Sequence, residues 1–181
     1  MHTRTARRRP VTIVAVALVA MLAIATTAFA VLTGSGGTGQ LRMDNRGETG
    51  PVPPTSSVPW VDLPGADIVV TIPSTGTRLL NARFTAESTC LGAVGLWCTT
   101  RIIAVNAAGF PTELDPASGT DFHFDSASPG VAGRVDSEAH AMERSKRLQG
   151  GTYKLKVQYA VSNAAVLFTL DDWHFTIETT V

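Results

Sequence analysis

From Trp60 to the C-terminus, hydrophobic and polar residues alternate with a period of two, which is typical of strands that bury one face. The clearest stretch is 153–161, where apolar and aromatic residues alternate with Lys154, Lys156 and Gln158. The same period predicts further strands at 68–72, 80–86, 102–105, 121–125, 140–148 and 166–177, the last either continuous or broken at Asp171-Asp172. Without a long amphipathic helix, this pattern predicts an all-β fold, an antiparallel jelly-roll-like β-sandwich of about 8 strands.

The first 32 residues follow a different pattern. Four arginines, Arg4 and Arg7 to Arg9, precede 22 uncharged residues, Val11–Leu32, enough to cross a bilayer as a helix. The triplet Ala28-Phe29-Ala30 also matches a signal-peptidase site. A cleaved signal peptide and a retained N-terminal transmembrane anchor both remain open, and both place the rest of the chain outside the cytoplasm.

Between this leader and the alternating region lies a segment of low hydrophobicity. Of its 27 residues, 33–59, 17 are Gly, Pro, Ser or Thr. Such a composition buries too little apolar surface to fold and predicts a disordered linker. The predicted organisation is therefore a leader at 1–32, a linker at 33–59 and a β-sandwich domain at 60–181.

The net charge bears on the class of partner, and the two cysteines bear on covalent cross-linking. The formal charge is zero, and without the four leader arginines 11 basic residues face 15 acidic ones, a net charge of −4. Because nucleic-acid binding needs a basic domain, we expect no nucleic-acid partner. Cys90 and Cys98 form a closely spaced pair in a chain expected to be exported, which predicts a disulfide.

The chain resembles a set of exported actinobacterial proteins of uncharacterised function over residues 61–178. The resemblance lies in five segments: Leu63–Asp67, Ala82–Cys90, Gly119–Phe122, His140–Ser145 and Leu170–Trp173. It implies export but brings no known activity. In addition, the glycine turn before an aromatic strand, Leu148–Tyr153, is similar to the C1q and tumour-necrosis-factor jelly rolls. That second resemblance implies a jelly roll that trimerises and acts by binding.

The predicted strand 121–125 carries a candidate metal site. Its alternation places Asp121, His123 and Asp125 on one face, and Glu138 with His140, or Asp171-Asp172, are further donors. Carboxylates would favour Ca²⁺, and two imidazoles would favour Zn²⁺. The simpler alternative is a solvated outward face, so no metal or other cofactor is predicted. Catalysis is not predicted either, because a Gly-x-Ser-x-Gly elbow is missing and the domain's only candidate bases are His123, His140 and His174.

Two other groups of residues suggest binding. If 144–148 and 153–161 pair as a hairpin across Gln149–Thr152, their outward residues form a basic strip for an anionic ligand. The strip comprises Arg144, Lys146, Arg147, Lys154 and Lys156. Its alternative role is to keep an exposed sheet soluble. Trp60 and Trp97 are candidates for stacking on sugar rings, whereas the alternation places Trp173 in the core.

Together these features predict an exported or membrane-tethered, non-enzymatic binding module of the cell envelope. Its partner would be a protein or glycan outside the cell. If the N-terminal helix is not cleaved, the membrane would be a further partner. The jelly-roll resemblance allows a homo-trimer. Two alternatives stay open: a metal-assisted glycan-binding protein or hydrolase that uses the Asp121/His123/Asp125 face, and a self-associating structural component of the surface.

Overall fold

Eight strands account for the regular structure in the computed structural model, which describes residues 31–36, 41–119, 121–130 and 137–180. They are β1 (Val31–Gly36), β2 (Leu41–Glu48), β3 (Val61–Leu91), β4 (Trp97–Asn106), β5 (Pro111–Glu113), β6 (Asp125–Ser126), β7 (Glu138–Val161) and β8 (Leu167–Thr180). Every pairing between these strands is antiparallel. The predicted all-β, antiparallel class is confirmed.

The two longest strands, β3 and β7, each run through two layers. They pair with each other along most of their length, with a register shift between Ile72 and Thr77. Beyond that shift, residues 77–91 of β3 and 138–149 of β7 join β8 and β2 to form the first layer. Before it, residues 61–72 of β3 and 151–161 of β7 join β4, with β5 and β6 beside β4, to form the second layer.

Gly150 lies where β7 passes from one layer to the other. A Cβ atom at this position would lie 2.5 Å from both the Pro73 carbonyl oxygen and the Ser74 Cα, so the close approach of the two strands requires glycine. The strands predicted at 68–72 and 80–86 are therefore parts of one bent strand. The predicted hairpin across Gln149–Thr152 is wrong, because this turn-like sequence bends β7 without reversing it.

The two layers pack face to face through their alternating apolar residues. The Phe168 ring of β8 lies 6.1 Å from the Tyr159 ring of β7, centroid to centroid, which joins the layers. The Thr100 hydroxyl of β4 also contacts the Met142 sulfur of β7 at 2.9 Å in the interior. Trp173 is 1% exposed, as its alternation predicted. These contacts define a β-sandwich with one shared core.

Residues 41–59 belong to the folded unit, so the predicted disordered linker is wrong for this part. β2 pairs with β8. The proline-rich segment after it, residues 51–55, lies along β8, and we call it the strap. The Val52 and Thr55 amides donate to β8 carbonyls at 2.9 Å. The Tyr159 hydroxyl, whose pKa burial raises, donates to the Pro53 carbonyl at 3.1 Å. Backbone hydrogen bonds hold this segment, and they need no hydrophobic sequence.

Two local predictions are confirmed, one at the junction of β3 and β4 and one within β8. Cys90 and Cys98 form a disulfide with sulfur atoms 2.04 Å apart, joining the end of β3 to the start of β4. β8 is one continuous strand with a bulge, at which Asp172 has a positive φ of 45°. The Asp172 amide donates to the Asp171 carboxylate at 2.8 Å, the local hydrogen bonding expected of that pair.

Of the predicted leader, only Val31 and Leu32 fall within the described residues, where they begin β1. Residues 1–30 lie outside them. The described part of the chain contains no helix with the length and hydrophobicity needed to span a membrane. The predictions of a signal peptide or anchor therefore stay predictions.

Candidate functional site

A groove crosses the outer face of the first layer, with a volume of about 320 Å³. Its floor is formed by outward side chains of β3 and β8 that lie directly opposite one another in three rows. The rows are Asn81 with Glu178, Arg83 with Thr176, and Thr85 with His174. We call this feature the ladder groove. Successive rows follow the two-residue period of the strands and are therefore about 7 Å apart.

The flanking strands supply the walls of the ladder groove. On the β7 side, the Arg83 guanidinium lies 3.3 Å from the Glu143 carboxylate, with side chains 64% and 58% exposed. On the β2 side, Met43 presents an exposed thioether. Such an exposed ion pair is weak, so its donors and acceptors are available to a ligand.

One glycine shapes the floor of the groove. A Cβ at Gly47 of β2 would lie 3.1 Å from the His174 ring and from the Trp173 carbonyl oxygen. Glycine therefore lets β2 lie close to this end of the ladder. The His174 ring is in turn held by the Thr176 hydroxyl, 3.2 Å from Nδ1. The floor offers hydroxyl, amide, imidazole, guanidinium and carboxylate groups, which suit a ligand with many hydrogen-bonding groups.

A second cavity, of about 410 Å³, lies at one end of the sandwich. We call it the mouth pocket. It is formed where β3 ends, β6 lies and β7 begins, and it is lined by Cys90, His123, Phe124, Asp125, Ser126, Ser128, Glu138 and His140. The disulfide forms part of its wall, which fixes the end of β3 relative to β4.

The polar centre of the mouth pocket is organised around Asp125. The Ser88 hydroxyl donates to its Oδ2 at 2.7 Å, and its Oδ1 lies 3.8 Å from His140 Nε2. The Glu138 carboxylate lies 3.6 Å from the same nitrogen. Ser88 lies on the same inward face of β3 as Ala86, and His140 lies on the same inward face of β7 as Met142. The other residues on these faces are mostly apolar. Such breaks in a pattern are typical of functional sites.

The predicted metal-site residues are only partly brought together. The strand predicted at 121–125 is wrong, because only Asp125 belongs to a strand there. His123 and Asp125 line the mouth pocket with Glu138 and His140, but Asp121 lies outside it in a turn. Among the described residues, no three His, Cys, Asp or Glu side chains are grouped closely enough to hold a metal ion.

The predicted basic strip is wrong, because β7 carries its members to different surroundings. Arg144 faces inward, with its guanidinium 4.4 Å from the Phe122 ring centroid, and burial lowers its pKa. Three lysines have carboxylate partners: Lys146 with Asp115, Lys154 with Asp67 and Lys156 with Asp62. Arg147 is exposed on the first layer, whereas Lys154 and Lys156 lie on the second.

The two candidate stacking tryptophans are half-buried and already in contact with other side chains. The Trp97 ring is stacked on His123, with centroids 4.4 Å apart and planes 15° apart. The Trp60 ring lies under the Arg101 guanidinium at 4.5 Å. Each ring therefore has one face covered by its own chain, which leaves at most the other face for a sugar.

The ladder groove was not predicted from the sequence. Outward polar residues at 81, 83 and 85 were visible in the alternation, and the same period marks 174, 176 and 178. What was missing is the register that places each residue opposite its partner. Runs of outward polar residues on two strands of one sheet are the sequence signal that could indicate such a groove.

Comparisons with known proteins leave the chain without an assigned family. No protein-family model and no curated protein matches it. Several solved structures are similar at low identity, including the following two. A carbohydrate-binding module of Cellvibrio mixtus lichenase 5A, in complex with cellotriose, shares 14% identity over 81% of this chain and 85% of that chain, with a TM-score of 0.27.

The second structure is the CBM22-1 xylan-binding domain from Paenibacillus barcinonensis Xyn10C. It shares 9% identity over 83% of this chain and 85% of that chain, with a TM-score of 0.27. At these scores neither likeness carries an argument about this chain. The class of the protein, an all-β antiparallel sandwich, rests on its own strand pairing and core contacts.

Proposed function

We propose that the chain is a non-enzymatic binding module that holds an extended, uncharged, hydroxyl-rich polymer, a glycan, in the ladder groove. The observation that carries this proposal is the set of three cross-strand polar pairs at the floor of an open groove. A linear ligand lying along the strands meets a new pair about every 7 Å. Each pair offers donors and acceptors at a fixed spacing, as hydroxyl groups along a polymer require.

The charges of the ladder groove disfavour an anionic ligand. Arg83 is balanced by Glu143, and Glu178 adds a further carboxylate, so the groove has no excess of positive charge to attract an anionic polymer. Met43 adds an apolar contact of the kind that the C–H face of a sugar ring needs. Affinity would therefore come from many neutral and charge-assisted hydrogen bonds and not from a single ion pair.

Binding fits the ladder groove better than hydrolysis. A carboxylic acid that protonates a leaving group is typically desolvated or placed beside a second carboxylate. Glu143 is instead well exposed and lies beside Arg83. Glu143 can thus position a polymer, but it lacks the environment that prepares a carboxyl group for proton transfer.

The cellular setting belongs to the same proposal. The Cys90–Cys98 disulfide supports an oxidising compartment outside the cytoplasm. Export through the leader, attachment to the envelope, self-association and a homo-trimer stay predictions, as do the jelly-roll connectivity and the two resemblances drawn from sequence. Light scattering of the purified chain and the mass of the mature protein check the assembly and the leader, respectively.

A polysaccharide binding assay tests the proposed function. The purified chain is titrated with soluble neutral glycans and with an anionic one, and binding is followed by affinity electrophoresis and calorimetry. We expect at least one neutral glycan to bind. Arg83→Ala and His174→Ala, both on exposed positions, should each weaken it by about tenfold, the loss of one or two good hydrogen bonds.

The matched control is Glu138→Gln, which lies in the mouth pocket and should leave glycan binding unchanged. Binding that persists in both groove variants would show that the ligand lies elsewhere. A failure of every neutral glycan to bind, with the anionic one bound, would overturn the proposed ligand class.

A further inference from the structure

The mouth pocket is lined by acidic groups. Two carboxylates, two imidazoles and two serine hydroxyls line it, and none of the described lining residues is Lys or Arg. The two carboxylates, Asp125 and Glu138, give this lining its acidic character. A half-enclosed cavity of this character favours a cationic ligand over a neutral or anionic one.

Asp125 is the more buried of the two carboxylates in the pocket. Its side chain is only 12% exposed, and among the described residues its hydrogen bond comes from the neutral Ser88 hydroxyl. A buried carboxylate is costly unless it is paired with a positive charge or with several donors. A cation in the pocket would therefore supply a stabilisation that the described residues do not.

His140 contributes a second unsatisfied group. Its Nε2 is buried and has no hydrogen-bond partner among the described residues, since the 3.6 and 3.8 Å separations from Glu138 and Asp125 exceed hydrogen-bond length. The imidazole and the two carboxylates thus surround a polar region with more acceptors than donors. The buried Phe124 ring, 5.5 Å from the His140 ring, forms the apolar back of the pocket.

We propose that the mouth pocket binds a small organic cation with a primary ammonium group. An ammonium has three N–H donors and no acceptor, which suits the Asp125 and Glu138 carboxylates and a serine hydroxyl. This site is separate from the ladder groove, and the inference does not depend on the proposed glycan ligand.

The test compares ligands of one size and three charges: cyclohexylamine, cyclohexanol and cyclohexanecarboxylate. Each is titrated into the full chain at pH 7, and binding is followed by NMR shifts of the histidine ring protons. We expect cyclohexylammonium to bind in the millimolar range, and cyclohexanol to bind at least about tenfold more weakly, the value of one charge-assisted hydrogen bond. The carboxylate should not bind.

Two variants locate the site. Glu138→Gln, at a side chain 70% exposed, and Asp125→Asn, which keeps an acceptor for Ser88, should each weaken amine binding by about tenfold. Glu87→Gln, an exposed carboxylate on β3 outside the pocket, and Arg83→Ala in the ladder groove are the controls and should have no effect.

Thermal unfolding by circular dichroism establishes that each variant is folded, and Glu138→Gln alone decides the outcome if Asp125→Asn is not. Equal affinity for the amine and the alcohol would overturn the inference. So would amine binding that is undiminished in Glu138→Gln, or the absence of any amine binding.

Discussion

The layer crossing at Gly150 allows a test of the fold by a single methyl group. Gly150→Ala adds a Cβ 2.5 Å from the Pro73 carbonyl oxygen and the Ser74 Cα, and 2.9 Å from the Ser74 carbonyl carbon. These neighbours are all backbone atoms, so none of them can move by changing a rotamer. Relief requires β3 and β7 to separate where they pass together between the layers.

The expected cost follows from this geometry. Normal contacts at Cβ begin near 3.4 Å, so the strands would have to shift by almost an ångström. Overpacking of one methyl group costs about 1–3 kcal/mol, and a backbone clash on both strands places Gly150→Ala near the upper end. For a folded unit of this size, 2–3 kcal/mol lowers the melting temperature by roughly 6–12 °C.

The assay is urea and thermal unfolding of the oxidised protein, followed by circular dichroism. Gly95→Ala is the matched control, because its Cβ would meet no atom within 4 Å although its φ is +88°. It measures backbone strain alone, about 1 kcal/mol. If Gly150→Ala is no more destabilising than Gly95→Ala, the two long strands do not cross between layers as closely as described.

Three further predictions concern the core, the disulfide and an ion pair. Phe84→Ala, which removes a fully buried ring 5.8 Å from Phe124, should cost about 3–5 kcal/mol in urea unfolding, and a loss below 1 kcal/mol would argue against a common core. Replacing Cys90 and Cys98 with alanine opens a loop of about nine residues and should cost about 2.5 kcal/mol, whereas an unchanged midpoint would contradict the entropic account. Burial alone would raise the pKa of Asp62, but hydrogen bonds from Lys156 and Gln158 together with the lysine charges outweigh it and lower the pKa. Because the folded pKa is the lower one, this stabilisation is present above about pH 4 and is lost as the pH falls through the folded value. Asp62→Asn should therefore flatten the acid limb of a stability–pH curve, and an unaltered slope would refute the assignment.

The sequence by itself determined the strand class and the inward residues. The alternation in 80–86 and 153–161 predicts which side chains are buried, because a strand turns successive residues to opposite faces whatever its partners are. It also predicted the buried position of Trp173, the disulfide and the local bonding at Asp171-Asp172, each of which depends on spacing over a few residues.

Only the tertiary structure decided which outward residues meet. The rows of the ladder groove join residues 81–85 to 174–178, and their register depends on how the two layers pack, which no local period encodes. The same holds at Gly150, where a hairpin and a bend have similar sequences and only the neighbouring Pro73-Ser74 backbone distinguishes them. The strap and β2 escaped prediction because backbone hydrogen bonds leave no hydrophobic pattern. The period of the side chains along one strand shows which residues are buried. A binding site such as the ladder groove depends instead on the register between strands that are distant in the sequence.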